Sequence, residues 1–267
     1  MDKITRGKTR AGRLDALDRV VLRWLDEGAF FEEPGGKYVD LGFGASAVTA
    51  LAMFERIRQM DAQANCTGMD VDAMRVEEAW RECEALKVSE YSWLQGGFAE
   101  VGDDDVRLCR AMNVLRQYGV EEAVRAHAQM VRGLCEGGVL IEGSCDRKGE
   151  RLGAHVIERR GGEGFRRGVF LMCRQGLDGG FAPRMMRDWL PQDLRRGAGR
   201  GHQVFVEFLD VWMASFLECG GVRDRDERFA RSVELLAERC EGVEYCEWMV
   251  QEGVVWWSPE GGVSGVM

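Results

Sequence analysis

The chain has 267 residues, 45% of them hydrophobic, and a formal net charge of −9, so one core with extensions is expected rather than two full domains. No apolar run approaches the ~18 residues that span a bilayer, and the amino end MDKITRGKTR lacks a hydrophobic signal region, which argues against a membrane protein and makes a cytoplasmic one the expectation. Nine cysteines without a CxxC pair argue against a disulfide framework or a zinc site, and the three separated histidines add no metal site.

Charge is uneven along the chain. Residues 1–25 carry seven basic and three acidic groups, and residues 147–200 carry thirteen and six, on an otherwise acidic body. Taken singly these arginines read as solvated surface; taken together the two zones favour a small anionic substrate, because local field rather than net charge steers a ligand. The lack of a dense basic stripe with interleaved aromatics counts against nucleic acid.

In chain order, residues 13–25 put Leu14, Leu17, Val21, Trp24 and Leu25 near one face at helical spacing. Pro34 and Gly35-Gly36 end that layer. Strand-helix units follow: a strand over 38–41, a helix over 47–60, a strand over 66–70 ending in Asp70, a helix over 73–86 and a weaker strand over 91–94. A fourth strand spans 106–112, a helix 120–135 ends at Gly137-Gly138, and a fifth strand spans 139–142. Units of this length predict a parallel sheet covered on both faces. Residues 155–160 and 168–173 read as an antiparallel pair that finishes the sheet before about residue 176, and residues 205–218 and 227–240 read as apolar-faced helices.

The run KYVDLGFGAS, residues 37–46, is the most informative. A glycine turn after a strand lets backbone approach a ligand and aims the next helix N-terminus at it, and Gly42 to Ala47 also fits GxGxxA, a form of the dinucleotide fingerprint. Two details favour S-adenosylmethionine over a nicotinamide. Asp40 stands two residues before Gly42, where an acid can meet the cationic amino end of methionine. Asp70 lies 26 residues past Gly44 at a strand end, where a carboxylate can accept both ribose hydroxyls.

VDLGFGAS, GMDVD, AMNVLRQY and GGVLIEG together resemble the class I S-adenosylmethionine-dependent methyltransferases over about residues 37–175. The resemblance implies a Rossmann-like, doubly wound α/β sheet of seven strands, mostly parallel with one antiparallel. Residues 1–36 would form a helical cap, 37–175 the cofactor-binding core, and 176–267 a lid and helical extension. It also implies that Asp40, Gly42 and Gly44 line the methionine end, Asp70 the ribose and Phe98 the adenine, with Asn113 beside the transferred methyl. Gly97 occupies about the position where many relatives carry an acid for the adenine amino group, so adenine recognition would rest on backbone groups and Phe98. CRAMNVL also resembles a stretch of chemotaxis receptor glutamate methyltransferases, with two extra residues before the asparagine.

On the acceptor side, strand ends of such a sheet face the ligand crevice. Asn113, Arg116 and Tyr118 follow the fourth strand, and Glu142 closes the fifth. Glu142, Tyr118 and His155 are candidate bases in that order, with a salt bridge to an arginine the alternative for Glu142. Arg116, Glu142, His155 and Arg184 are candidate substrate contacts. The segment 180–194, with Arg184, Arg187 and Trp189, reads equally as a lid or a linker. Arg6 and Lys8 belong to a basic arm that would close over the cofactor only on finding a phosphate or carboxylate, and His202 sits at the edge of the basic region. His127 reads as a satisfied core residue. The expected reaction is methyl transfer to a small anionic acceptor; the alternatives are methylation of RNA or of a protein carboxylate, or an NAD(P)-dependent oxidoreductase using the same glycine turn.

Overall fold

The computed structural model describes residues 3, 9–173, 181–196 and 200–258, without the side chains of 196 and 200–202. Arg6, Lys8 and the His202 side chain lie outside the described residues. The short apolar runs form strands β1 (Lys37–Leu41), β2 (Asn65–Asp70), β3 (Ser92–Gln95), β4 (Val106–Met112) and β5 (Leu134–Cys145). They lie parallel in the order β3-β2-β1-β4-β5, the arrangement of a Rossmann-like sheet. Helices α1 (Asp15–Glu27), α2 (Val48–Met60) and α3 (Ala73–Leu86) cover one face, burying Leu17, Phe54 and Ala79 in one apolar cluster with Tyr38 and Leu108. Helix α4 (Val120–Arg132) covers the other, where Met130 joins the cluster of Val39 and Leu140.

Helix α4 stops at Arg132, and β5 begins at Leu134, earlier than the expected strand over 139–142. Residues 135–138 therefore belong to the strand and not to the helix end. Leu134 pairs with Val106 and Val139 with Leu108, so the residues between them bulge from the ladder. Gly137 has φ +75, and a Cβ at Gly138 would lie 2.6 Å from the Val106 carbonyl oxygen, so both glycines serve this bulge.

Past β5 the sheet is antiparallel. Strands β6 (Arg151–Arg160) and β7 (Glu163–Cys173) form a meander with β5. A 3₁₀ segment, Pro183–Trp189, leads to α5 (Gln192–Arg196), α6 (Arg200–Glu218) and α7 (Arg225–Arg239), which pack Phe205, Trp212 and Phe229 against Val169 and Leu171. The chain then returns to the sheet through β8 (Val243–Glu244), α8 (Glu247–Gln251) and β9 (Val254–Trp257).

The sheet thus has nine strands in the order β3-β2-β1-β4-β5-β6-β7-β9-β8, instead of seven with one reversed, and it is completed well after residue 176. The reason is apolar: β7 pairs with β9 along Val169–Met172, and Val254, Val255, Trp256 and Trp257 are all buried there. No described helix is long and apolar enough to cross a membrane.

Candidate functional site

Chain direction reverses sharply after β1. Gly42 and Gly44 take φ +74 and +88, conformations costly to any residue with a Cβ, and a Cβ at Gly42 would lie 2.6 Å from a Val114 methyl. The Gly42 N–H donates to the Met69 carbonyl at 2.6 Å, joining the turn to β2. At the start of α2, the Ala47 N–H and the Ser46 hydroxyl both donate to one oxygen of Glu82, at 2.7 and 3.1 Å. A carboxylate from α3 thus sits at the helix end where a dinucleotide fold seats its pyrophosphate.

Asp40 and Asp70 lie on the same face of the sheet, since Asp40 registers with Gly68 and side chains two apart share a face. Asp70 is buried at the end of β2. Its Oδ1 accepts the Asp72 N–H at 3.0 Å, and its Oδ2 accepts the Gly44 N–H at 3.2 Å and Arg75 at 3.3 Å. A carboxylate offers about four lone-pair sites, so these bonds leave one on Oδ1 and a second where Arg75 yields. Asp72, beside it, caps α3 by accepting the Met74 N–H at 3.0 Å.

Asp40 has a partner that the sequence reading did not supply. Arg110 of β4 donates to Asp40 at 2.9 Å, to both oxygens of Asp18 on α1 at 2.6 and 2.7 Å, and to the Thr49 carbonyl at 3.0 Å. All three charged groups are at most 3% exposed. Burial pushes the Asp18 carboxyl up against the pull of Arg110, while Asp18 and Asp40 raise the Arg110 guanidinium against the penalty of its burial. Two carboxyl groups face one guanidinium, and Asp40 Oδ2 is buried with no hydrogen-bond partner. That oxygen suits a cationic amine.

Above the turn lies a narrow crevice lined by Leu41, Asp70, Val71, Phe98, Val114 and Tyr118 among others. Phe98 meets Tyr118 edge to face at 5.4 Å. At Gly97 the N–H donates to the carboxylate of Glu100 at 2.7 Å, which brings an acid to the loop where the sequence has a glycine. Lys3 lines the same crevice: its ammonium lies 4.6 Å from the Tyr118 ring centroid and 3.0 Å from Glu122, and its N–H donates to the Tyr118 hydroxyl. Thr9 donates to the Phe43 carbonyl of the glycine turn at 3.1 Å.

Asn113 directly follows β4 in the left-handed region, φ +64, which asparagine tolerates better than most residues. Its amide oxygen accepts the Cys145 N–H at 2.9 Å and its amide nitrogen meets the Cys145 sulfur at 3.0 Å, tying the ends of β4 and β5 together. Arg116 stacks on Trp189, 4.9 Å from guanidinium carbon to ring centroid, and Gln192 donates to the Tyr118 carbonyl. The segment 183–194 is thus packed on the β4–α4 loop.

Three of the expected acceptor residues sit elsewhere. Glu142 is turned beneath α4, 1% exposed, and bonded to His127 at 3.0 Å, so its partner is a histidine and not an arginine. Burial raises its carboxyl. His155, wholly buried on β6 opposite Glu142, bonds Asp193 of α5 at 2.8 Å. Burial, then Arg166, lower His155 to about 4, so it is neutral at pH 7. Against the penalty of burial, His155 and Arg166 hold Asp193 well below the carboxylate range. Arg184 is exposed and bonds Asp210 of α6 at 2.8 and 3.1 Å, not the crevice. Among the described residues, no group of three or more histidine, cysteine or acidic side chains is arranged to hold a metal ion.

Asp18, Arg75, Glu82 and Arg110 went unread in the sequence. Two of them carry a local signal: Asp18 falls on the apolar stripe of α1, and Arg110 interrupts the apolar run of β4, so each is a charge at a position that must be buried.

No family model matches the sequence, and no curated protein matches it. Solved structures do. A Plasmodium falciparum chain assigned as a protein-L-isoaspartate O-methyltransferase, in complex with S-adenosyl-L-homocysteine, is 15% identical, with 61% of this chain and 73% of that chain covered and a TM-score of 0.40. A SAM-dependent methyltransferase from Aquifex aeolicus is 14% identical over 51% of this chain and 69% of that chain, TM-score 0.37. The magnesium protoporphyrin IX methyltransferase of Synechocystis PCC 6803, with bound SAH, is 19% identical over 53% and 64%, TM-score 0.39. What the crevice does has to be read from its own side chains.

Proposed function

We propose that this protein is an S-adenosylmethionine-dependent methyltransferase acting on a small anionic acceptor. The observation that carries the reading is the pair of buried carboxylates on one sheet face beside the glycine turn, with Asp70 on the crevice and Asp40 Oδ2 lacking a partner. Each acid matches one part of the cofactor: Asp70 the ribose hydroxyls, with Arg75 giving way, and Asp40 the methionine ammonium. Leu41, Val71, Phe98 and Val114 supply apolar walls that suit an adenine and exclude water.

Such a cofactor, when bound, supplies a methyl group already activated by a cationic sulfur. The chain's task is then to hold the acceptor nucleophile in line with it. Asn113, fixed between the ends of β4 and β5, is the side chain beside which that nucleophile would dock. Of the three candidate bases, Tyr118 alone lines the crevice; Glu142 and His155 are buried in other pairs.

The oxidoreductase alternative is disfavoured by Glu82. Its carboxylate occupies the α2 N-terminus by two hydrogen bonds and would repel a pyrophosphate there. The test is calorimetric titration with S-adenosylhomocysteine and, separately, NADH. The first should bind and the second should not, and Asp70→Ala should weaken S-adenosylhomocysteine about 30-fold, the ~2 kcal/mol expected for hydrogen bonds to a charged group. Unchanged affinity in that variant would remove Asp70 from the ribose role.

A further inference from the structure

We infer, resting on the methyltransferase reading, that Gln192 of α5 is a positioning residue that holds the Tyr118 wall of the crevice in place from outside the parallel sheet. A helix of five residues has no stability of its own, so what fixes α5 has to be tertiary. Asp193 bonds His155 of β6 at 2.8 Å and Arg166 of β7 at 2.7 Å, and Leu190 and Leu194 are buried in the cluster of Val169 and Leu171. The approach to β6 is close: a Cβ at Gly153 would lie 3.0 Å from the Trp189 carbonyl oxygen and 3.3 Å from the Leu190 Cα. The segment 189–194 is therefore seated on the antiparallel strands.

From that seat Gln192, 1% exposed, reaches the β4–α4 loop. Its Oε1 accepts Arg195 at 2.7 Å, and because a guanidinium only donates, the amide nitrogen is the end turned to the Tyr118 carbonyl, to which it donates. The Tyr118 N–H is bonded within the loop, to the Leu115 carbonyl at 3.0 Å. One backbone group of Tyr118 thus closes its own turn and the other is tied to α5. Two residues earlier, Arg116 stacks on Trp189, a second tie between the same two segments. At its other end the loop is fixed by the bonds of Asn113 to Cys145.

What is held is a wall of the crevice. The Tyr118 ring lines it and meets Phe98 edge to face at 5.4 Å. An apolar side chain at 192 leaves a buried carbonyl unpaired, which regains a partner by moving the loop toward water, and the ring moves with the loop. Tyr118 is also the candidate base on the crevice, so the same bond sets where its hydroxyl stands relative to the acceptor. Through this amide the extension beyond β7 acts on the cofactor crevice.

Two variants of the full chain separate positioning from support of the helix. At pH 7 Gln192→Glu keeps an acceptor for Arg195 and loses the donor to Tyr118, whereas Gln192→Met loses both. In protein labelled with 3-fluorotyrosine, the Tyr118 resonance, identified by its absence in Tyr118→Phe, should move in both variants without nucleoside, while those of Tyr38, Tyr91 and Tyr245 stay. Calorimetry should show S-adenosylhomocysteine weakened at least fivefold in both. Gln251→Met, exposed on α8 and bonded to Glu247, should change neither readout. A further measurement needs no variant: in hydrogen exchange of the wild-type chain, S-adenosylhomocysteine should slow amides of 190–196 as well as those of 97–101, because coupling between two sites is reciprocal. An unmoved Tyr118 resonance in Gln192→Glu, wild-type affinity in that variant, or exchange at 190–196 unaltered by bound nucleoside overturns the positioning role. Failure of S-adenosylhomocysteine to bind the wild-type chain defeats the methyltransferase reading instead, and the fluorotyrosine comparison, made on unliganded protein, still decides whether Gln192 positions Tyr118.

Discussion

In the parallel half of the sheet a buried arginine lies between two carboxyl groups, Asp18 and Asp40; in the antiparallel half a partly buried carboxylate, Asp193, lies between His155 and Arg166. Both clusters also contain buried polar atoms without partners, Asp40 Oδ2 in the first and the Nδ1 atoms of His127 and His155 in the second. What separates them is surroundings. Asp40 stands one residue from Leu41, which lines an open crevice, and its surplus is acidic. The second cluster is closed over by α4 and α5, and its bonds fasten α5 to β6 and β7. On the reading proposed above, the unmatched Asp40 oxygen, one residue from the crevice lining, is what sets a ligand-holding cluster apart from a purely structural one.

Breaking the first cluster should have the largest effect. Arg110→Met leaves two buried carboxyl groups without their counter-ion and should cost ~3–5 kcal/mol, measured as a lowered urea midpoint. A midpoint equal to that of the wild type would mean that Asp18 and Asp40 are hydrated, contrary to their burial.

The second cluster is tested by pH. His155 has a folded pKa of about 4, below the ~6.5 of an unfolded histidine. Between those values the unfolded chain binds a proton that the folded chain does not, so stability rises with pH there. The contribution is fully present above pH 6.5 and is lost on acidification toward pH 4, up to about 3 kcal/mol. Urea titrations at pH 7 and pH 4.5 should reveal the loss, and His155→Gln should flatten it. An equally steep loss in the variant would assign it to other groups.

The smallest effects compare two helix caps. Asp72 and Asp224 each accept an N–H at the start of α3 and α7. Asp72→Ala and Asp224→Ala should each cost ~1 kcal/mol in thermal melts. Asp72 also lies 3.5 Å from Arg75, the residue that must release Asp70. Only Asp72→Ala should therefore weaken S-adenosylhomocysteine binding, by a few-fold, because Arg75 is left wholly to Asp70.

Much of the parallel half was legible in the sequence because its signals are local. A glycine turn between an acid-ended strand and an apolar helix, followed by a second acid-ended strand, fixes Gly42, Gly44 and Asp70 without knowledge of the rest. The orientation of Glu142 was not legible. β5 is apolar on both faces, so alternation puts Glu142 with Leu140 but cannot say that α4 will present His127 to it. Nor was the return of the chain at β9, since a four-residue apolar run such as VVWW fits a strand or a buried helix equally well. The triad around Arg110 joins residues 18, 40 and 110, and only the fold brings them together.

The position of β9 between β7 and β8 bears on how the protein is made. β7 leaves the ribosome about eighty residues before the strand that will cover its free side. Until Trp256 and Trp257 emerge, a nascent chain offers the edge of Val169–Met172 to any neighbour, and release of a prematurely terminated product invites edge-to-edge aggregation. Completion of the sheet therefore waits until about eighty residues after β7 have been made.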